Sequence, residues 1–338
     1  MAESSDYQPI GGKKSHRTYR VIDKPTGVAF GANNCTSGGR GAPAGTTFTN
    51  KGAQKLTNVH VLLIFWGTQW AGSPNPLAAQ VTSAVENLLD GPYMSYLAQY
   101  GVHRGSLWGT KFVLSDPPNP FSGSQVGQFI IDQLDADNLP EPDSNWPIFY
   151  CVIMPSNTAF QGIQGPPPLD PVVPLPSGTV SNILGANSRI EWDDIDFFEG
   201  DKDTDPALFA WIGNDGTVDY ITTVLSHELV EACTDPGGGN GIVQAGAASV
   251  TGQIGDPCTG ICDRVRGVKV WSYWSQLDIS DLTINPNRIS RNPNNNGGCV
   301  VPKFYSVRRT LAGRNINGHI GSLQSPIPSL NQLIKSLF

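Results

Sequence analysis

Apolar residues in this chain fall into short, dense runs separated by long polar stretches, and the spacing within the runs alternates between strand-like and helix-like. Residues 58–66 form a continuous apolar run closed by Gly67, the pattern of a strand buried on both faces. Pro76 then opens a helix whose apolar positions Val81, Ala84, Leu88 and Leu89 recur at helical spacing. Gly91 and Pro92 break it, and a second short helix covers Tyr93–Tyr100. Next come a strand around Leu107–Leu114 and a helix over Ser124–Leu134, with Val126, Phe129, Ile130 and Leu134 on one stripe. A strand over Pro147–Met154 completes this half, and Ala207–Ile212 reads as one more. Such alternation predicts an α/β (α+β) fold with a mostly parallel or mixed sheet. Residues 156–182, rich in proline, read as an extended surface loop, and the chain is loop-rich again after Pro236. No internal repeat is present. The organisation expected is an irregular N-terminal arm over 1–56, one main domain over 57–304, and a C-terminal arm over 305–338 ending in an amphipathic segment, Leu330–Phe338.

Composition narrows the function classes. With 38 Gly and 27 Pro in 338 residues the chain suits a loop-rich globular protein better than a helical bundle, while 8 Trp, 9 Tyr and 13 Phe supply a core. A net charge of −7, with no long Lys/Arg block, argues against a nucleic-acid or anionic-membrane surface. No run reaches the ~18 apolar residues of a membrane span. Low Lys content, abundant Asn, Gly and Thr, and six cysteines point to an extracellular protein, although the N-terminus lacks the apolar core of a secretory signal. Cys151, inside an apolar run, reads as a buried free thiol. Cys258, Cys262 and Cys299 lie in Gly/Pro/Asn-rich loops that disulfides would hold together, and a cysteine-only zinc site lacks a fourth ligand.

The chemistry concentrates on residues 219–235. Ile221, Leu225, Leu229 and Ala232 form one helical stripe, Tyr220, Val224, His227 and Glu231 an adjacent one, and Pro236 stops the helix. Residues i and i+4 lie one above the other, so the His227 imidazole and the Glu231 carboxylate can reach a single cation. Glu228 projects about a hundred degrees further round. It would stand beside the ion rather than ligate it, placed to take a proton from an activated water. A surface ion pair is the plain alternative for His227 and Glu231, but the flanking apolar stripes argue against a solvated face. Zinc sites commonly draw a third protein ligand from beyond the motif helix. Asp256, in Gln253–Cys258, is the first choice and Asp235 the second, the alternative for Asp256 being a turn carboxylate that caps its own backbone.

Residues 226–236 (Ser-His-Glu-Leu-Val-Glu-Ala-Cys-Thr-Asp-Pro), followed by Ile254–Cys258 (Ile-Gly-Asp-Pro-Cys), resemble the paired signature of the phosphate-induced protein 1 (exordium-like) family. Residues 61–67, 88–97 and 209–213 resemble the family's early strand, its following helix and the strand before the motif, so the similarity spans roughly 55–302. The resemblance implies a zincin-like metallopeptidase relative, with a mixed sheet, His227, Glu231 and Asp256 as zinc ligands and Glu228 as general base. Gln253 departs from the Glu expected in plant members. Plant members are known chiefly as extracellular, growth-associated proteins, which keeps a non-catalytic extracellular or assembly role as the rival reading.

Other features carry less. Asp201, Asp203 and Asp205, in the acidic stretch 193–205, alternate like the start of a calcium loop, but Pro206 and Ile212 stand where its turn glycine and final carboxylate belong. A solvated acidic loop is the simpler account, with an additional calcium ion as the alternative. No Gly-x-Ser-x-Gly elbow or phosphate-binding Gly-x-x-x-x-Gly-Lys-Ser/Thr loop occurs. Tyr273 and Trp274 could line a cleft or pack under a loop; His60 and His103 read as structural. The expected function is therefore a zinc-dependent metallohydrolase, a metalloprotease acting on peptide or protein substrates.

Overall fold

The computed structural model describes residues 17–21, 27–30, 46–53, 55–142, 147–160, 183–194, 207–246, 252–275, 298–302, 309–311 and 314–316. In chain order they form β1 (Arg17–Val21), β2 (Gly27–Phe30), β3 (Phe48–Asn50), β4 (His60–Trp66), α1 (Pro76–Leu89), α2 (Pro92–Ser95), β5 (Ser106–Val113) and α3 (Gly123–Asp135). β6 (Ile148–Ile153), β7 (Ile183–Asp194), β8 (Ala207–Ile212) and α4 (Val218–Thr234) follow. Last come β9 (Ile242–Gln244), β10 (Cys262–Val265), β11 (Val268–Trp271), β12 (Tyr273–Ser275), β13 (Gly298–Val300), β14 (Arg309–Leu311) and β15 (Arg314–Ile316).

The main sheet runs β5-β4-β6-β8-β7, a mixed sheet in which the first four strands are parallel and β7 is antiparallel. Strands β4, β6 and β8 are apolar at nearly every position because both of their faces are covered, as a parallel sheet requires. The pleat divides them. Val61, Leu63, Phe65, Phe149, Cys151, Ile153, Leu208, Ala210 and Ile212 point to the face carrying α1, α2 and α4. Leu62, Ile64, Trp66, Tyr150, Val152, Phe209 and Trp211 point to the opposite face, against Val126, Ile130 and Leu134 of α3. Each Val, Leu, Ile or Phe among them, fully removed from water, contributes about 1.5–3 kcal/mol.

Local signals start and stop the helices. Asn75 accepts from Ala78 N ahead of α1, and Pro76 sits where its missing N–H costs nothing. Ser122 and Gln125 form a reciprocal capping box on α3. Thr217 accepts from Tyr220 N to cap α4, and Pro236 follows its end.

The predicted strands and helices that fall on described residues are present with boundaries shifted by a residue or two, except that the short helix expected over Tyr93–Tyr100 is α-helical only over Pro92–Ser95 and continues as a 3-10 helix over Tyr96–Tyr100. The structure adds β7, a 12-residue strand that the sequence pattern did not indicate. It also corrects the irregular arm: β1 and β2 both pair antiparallel with β7, and β3 pairs with β9. Most of the 156–182 loop, the Asp201–Asp205 stretch and the segment Leu330–Phe338 lie outside the described residues. No described helix is long and apolar enough to cross a membrane.

Candidate metal centre

Helix α4 is buried on every side along most of its length. It packs on β7 and β8 of the sheet, on α1, and beneath β11. Backbone-directed hydrogen bonds fix the last contact: Thr222 donates to Lys269 O, Ser226 Oγ accepts from Trp271 N, and Tyr93 donates to Trp271 O. His227, Glu228 and Glu231 consequently have no exposed surface at all.

The predicted i,i+4 geometry is present. His227 Nε2 lies 3.0 Å from Glu231 Oε1, yet the orientation is not that of a hydrogen bond, and both imidazole nitrogens and Glu231 Oε1 are left without a hydrogen-bond partner. Asp256 reaches the same point from the short 3-10 turn Asp256–Cys258, and the ligand atoms of His227, Glu231 and Asp256 all lie within 4.8 Å of one another. Buried polar atoms are nearly always paired, because an unpaired one costs about 1–3 kcal/mol. An imidazole and two carboxylates that converge in this way, with His227 and Glu231 at ion-pair distance but outside hydrogen-bond geometry, form a donor set that could hold a metal ion.

Backbone proximity makes this convergence possible. A Cβ on Gly255 would stand 2.7 Å from both Glu231 Oε1 and His227 Nδ1, so only glycine lets the turn come this close. Gly185 does the same for the strand: a Cβ there would lie 2.6 Å from Val224 Cγ1 and 3.3 Å from Glu228 Oε1. Beside it, Asn187 Nδ2 donates to Glu228 Oε2 at 2.8 Å and lies 3.5 Å from Glu231 Oε2. One amide thus spans the candidate base and a candidate ligand, while Glu228 stays outside the converging group. The Trp271 ring meets His227 edge-on at 5.1 Å.

The turn carrying Asp256 is held from several directions. Asp256 Oδ2 accepts from Gln253 N, Trp274 N donates to Ile254 O, and a disulfide joins Cys258 to Cys299 on β13. Cys262 is disulfide-bonded as well, whereas Cys151 and Cys233 are buried free thiols. The expectations for Cys151, Cys258, Cys262 and Cys299 hold.

Asp235, the second choice for third ligand, is committed elsewhere. Its carboxylate accepts from the backbone N–H groups of Gly239, Asn240 and Gly241, and from Gln253 Nε2 at 3.3 Å. It organises the glycine-rich loop after α4. Gln253 takes its meaning from the same pair: its amide donates to Asp235, where a glutamate would oppose one carboxylate with another. Tyr273 also differs from a cleft-lining role. It is fully buried, and its hydroxyl donates to Tyr93 O.

Electrostatics match a set of groups waiting for positive charge. Burial pushes the Glu231 carboxyl well above the ordinary value of 4.5, Asp235 adds to this, and the Asn187 amide opposes it. Asp256 is only partly buried as a residue, but desolvation of its carboxyl still raises it well above 3.8, with Glu231 adding and His227 opposing. Asp235 is raised by burial against the pull of its three backbone donors and Gln253. Without a counter-cation, these carboxyls hold protons at pH values where free ones have lost them.

The sequence thus named His227, Glu228, Glu231 and Asp256, and the structure brings the three candidate ligands together with Glu228 beside them. It did not name Asn187, Gly185, Gly255 or Trp271. Of these only Gly255, next to the candidate ligand Asp256, carried a local signal. Comparison of the chain with protein-family models, curated proteins and solved structures finds no match.

Proposed function

We propose that this chain is a zinc-dependent hydrolase acting on peptide bonds, zincin-like in fold and akin to the phosphate-induced protein 1 (exordium-like) family. The observation that carries this reading is the convergence of His227, Glu231 and Asp256, with both imidazole nitrogens and Glu231 Oε1 buried and without hydrogen-bond partners. One histidine and two carboxylates fit zinc, which takes nitrogen and oxygen ligands in a tetrahedral set of three protein atoms and one open position. Bound there, zinc would polarise a substrate carbonyl and lower the pKa of water to about 7. Glu228 would accept the proton from the attacking water at its carboxylate. Asn187, donating to Oε2, holds that carboxylate in orientation and keeps it from swinging among the ligands. A disulfide tying the Asp256 turn in place is consistent with an oxidising, extracellular setting.

A second reading has one specific observation in its favour. Complete burial of His227, Glu228 and Glu231 resembles a closed structural metal site, which would make the protein a non-catalytic extracellular or assembly component. Metal analysis with two variants separates the readings. Under the first, the protein carries one zinc, Glu228→Gln keeps it and loses at least a hundredfold in peptide hydrolysis, and His227→Ala loses the metal. Under the second, His227→Ala loses metal and stability, and no hydrolysis is found in any form. A chain purified without chelator that holds no stoichiometric metal sinks both.

A further inference from the structure

The outer edge of β7 beside the candidate centre carries a strand from the chain's own N-terminal arm. β2 pairs antiparallel with β7, setting Gly27 opposite Asn187, Val28 opposite Ala186 and Ala29 opposite Gly185, before a register shift at Phe30. These are the β7 positions that meet Glu228: Asn187 donates to its Oε2, and Gly185 gives it room. Across the sheet the row reads Leu63, Cys151, Ala210, Asn187, Gly27, so β2 continues the layer that α4 packs against. β2 also packs on α4 itself. β1 occupies the rest of the edge, from Val21 opposite Ile190 to Arg17 opposite Asp194.

A sheet edge presents a row of N–H and C=O groups that will pair with any extended chain. Here that edge borders the candidate base and is filled by four residues of the same polypeptide. With β2 paired there, the three buried side chains of the α4 motif have no exposed surface. We infer that β2 is a built-in plug: residues 27–30 lie where an extended peptide would pair with β7 beside Glu228, and the centre becomes accessible when this strand leaves. The pairing is a main-chain ladder, so the occupant it models is peptide backbone in extended form rather than a sugar, a nucleotide or a lipid. The catalytic consequence rests on the hydrolase reading above; the occlusion itself does not.

The test uses the full chain with a site-specific protease sequence inserted between Gly31 and Ala32, purified folded and then cut, the released arm being removed by gel filtration. A second form, Val28→Pro with Ala29→Pro, stays uncut but lacks the N–H groups at the two central positions of the strand. Two rates are read: modification of His227 by diethyl pyrocarbonate in metal-free protein, with His60 as internal reference, and loss of zinc to EDTA in loaded protein. Both should rise at least tenfold on cutting and in the proline form, and a synthetic peptide spanning residues 22–32 should restore slow rates to the cut chain. His227 modification that is unchanged once mass spectrometry shows the arm gone, and unchanged in the proline form, overturns the plug. Zinc binding by neither form sinks the hydrolase reading alone, because His227 reactivity in metal-free protein still decides the occlusion.

Discussion

Gly255 is the position where the centre leaves least space, and alanine there gives the most direct test of the convergence. Its φ of −76° and ψ of −39° suit alanine, so the backbone itself opposes nothing. Left to the backbone alone, the change would stabilise the fold by roughly 0.4–1 kcal/mol through the unfolded chain. The added methyl would nonetheless lie 2.7 Å from Glu231 Oε1 and from His227 Nδ1, where ordinary contact begins at 3.4 Å. The difference, 3.4 − 2.7 = 0.7 Å, must be taken up by the turn moving away from α4 or by both ligands turning aside. Such overpacking costs about 1–3 kcal/mol. A metal site holds its distances only to within about 0.2 Å, so a shift of this size should weaken zinc binding by a hundredfold or more. Competition with a chromophoric chelator measures the affinity, and urea unfolding of the metal-free form measures the steric cost. Gly109→Ala is the control, since nothing lies within 4 Å of a Cβ at that position. A folded Gly255→Ala protein that binds zinc as tightly as the parent would refute the geometry on which the centre rests.

Asn187→Leu removes the donor to Glu228 Oε2 and leaves a buried carboxylate short of a partner. Urea unfolding should show a loss of about 1–3 kcal/mol, and peptide hydrolysis should fall in kcat more than in KM. For pH, the folded metal-free chain binds protons on Glu231 and Asp256 that the unfolded chain, near 4.5 and 3.8, has released. Their contribution to stability is therefore greatest at acidic pH and declines as pH rises through the raised values, while saturating zinc, which replaces those protons, should stabilise increasingly as pH rises. Thermal melts of the parent and of Glu231→Gln with chelator, and of the parent with zinc, from about pH 4 to about pH 8 check both signs; a metal-free parent that gains stability over Glu231→Gln as pH rises contradicts the assignment. Gln253→Glu puts a carboxylate against Asp235 in place of an amide donor. That variant should be destabilised at neutral pH and recover toward the parent in acid, as differential scanning calorimetry can follow.

Several parts of the molecule were legible residue by residue. Helix α4 declared itself through the 3.6-residue spacing of Leu225, Leu229 and Ala232, the His227–Glu231 step, and a terminal proline. Strands β4, β6 and β8 were visible because burial on both faces leaves an unbroken apolar run. β7 was not, and the reason is chemical. Its Gly185 is there to let α4 approach, and its Asn187 is there to hold Glu228. The residues that serve the centre are the ones that interrupt the strand pattern. β1 and β2 were missed for a related reason, since an edge strand is specified by the partner it pairs with as much as by its own side chains.

The sequence by itself determined that an imidazole and a carboxylate share one helical face, with a second carboxylate a step round, because helix geometry is local and fixed by spacing. It ranked Asp256 ahead of Asp235 but could not show which of them reaches the helix. That depends on where chain far from α4 returns to it: Gly255 lets the turn touch His227 and Glu231, Cys258–Cys299 ties the turn down, and the amides of Gly239–Gly241 consume Asp235. Only tertiary structure could also show that His227, Glu228 and Glu231 are fully buried and that strand β2 lies along the edge beside them. Burial and strand pairing are properties of segments distant in sequence, and no window along the chain contains both partners.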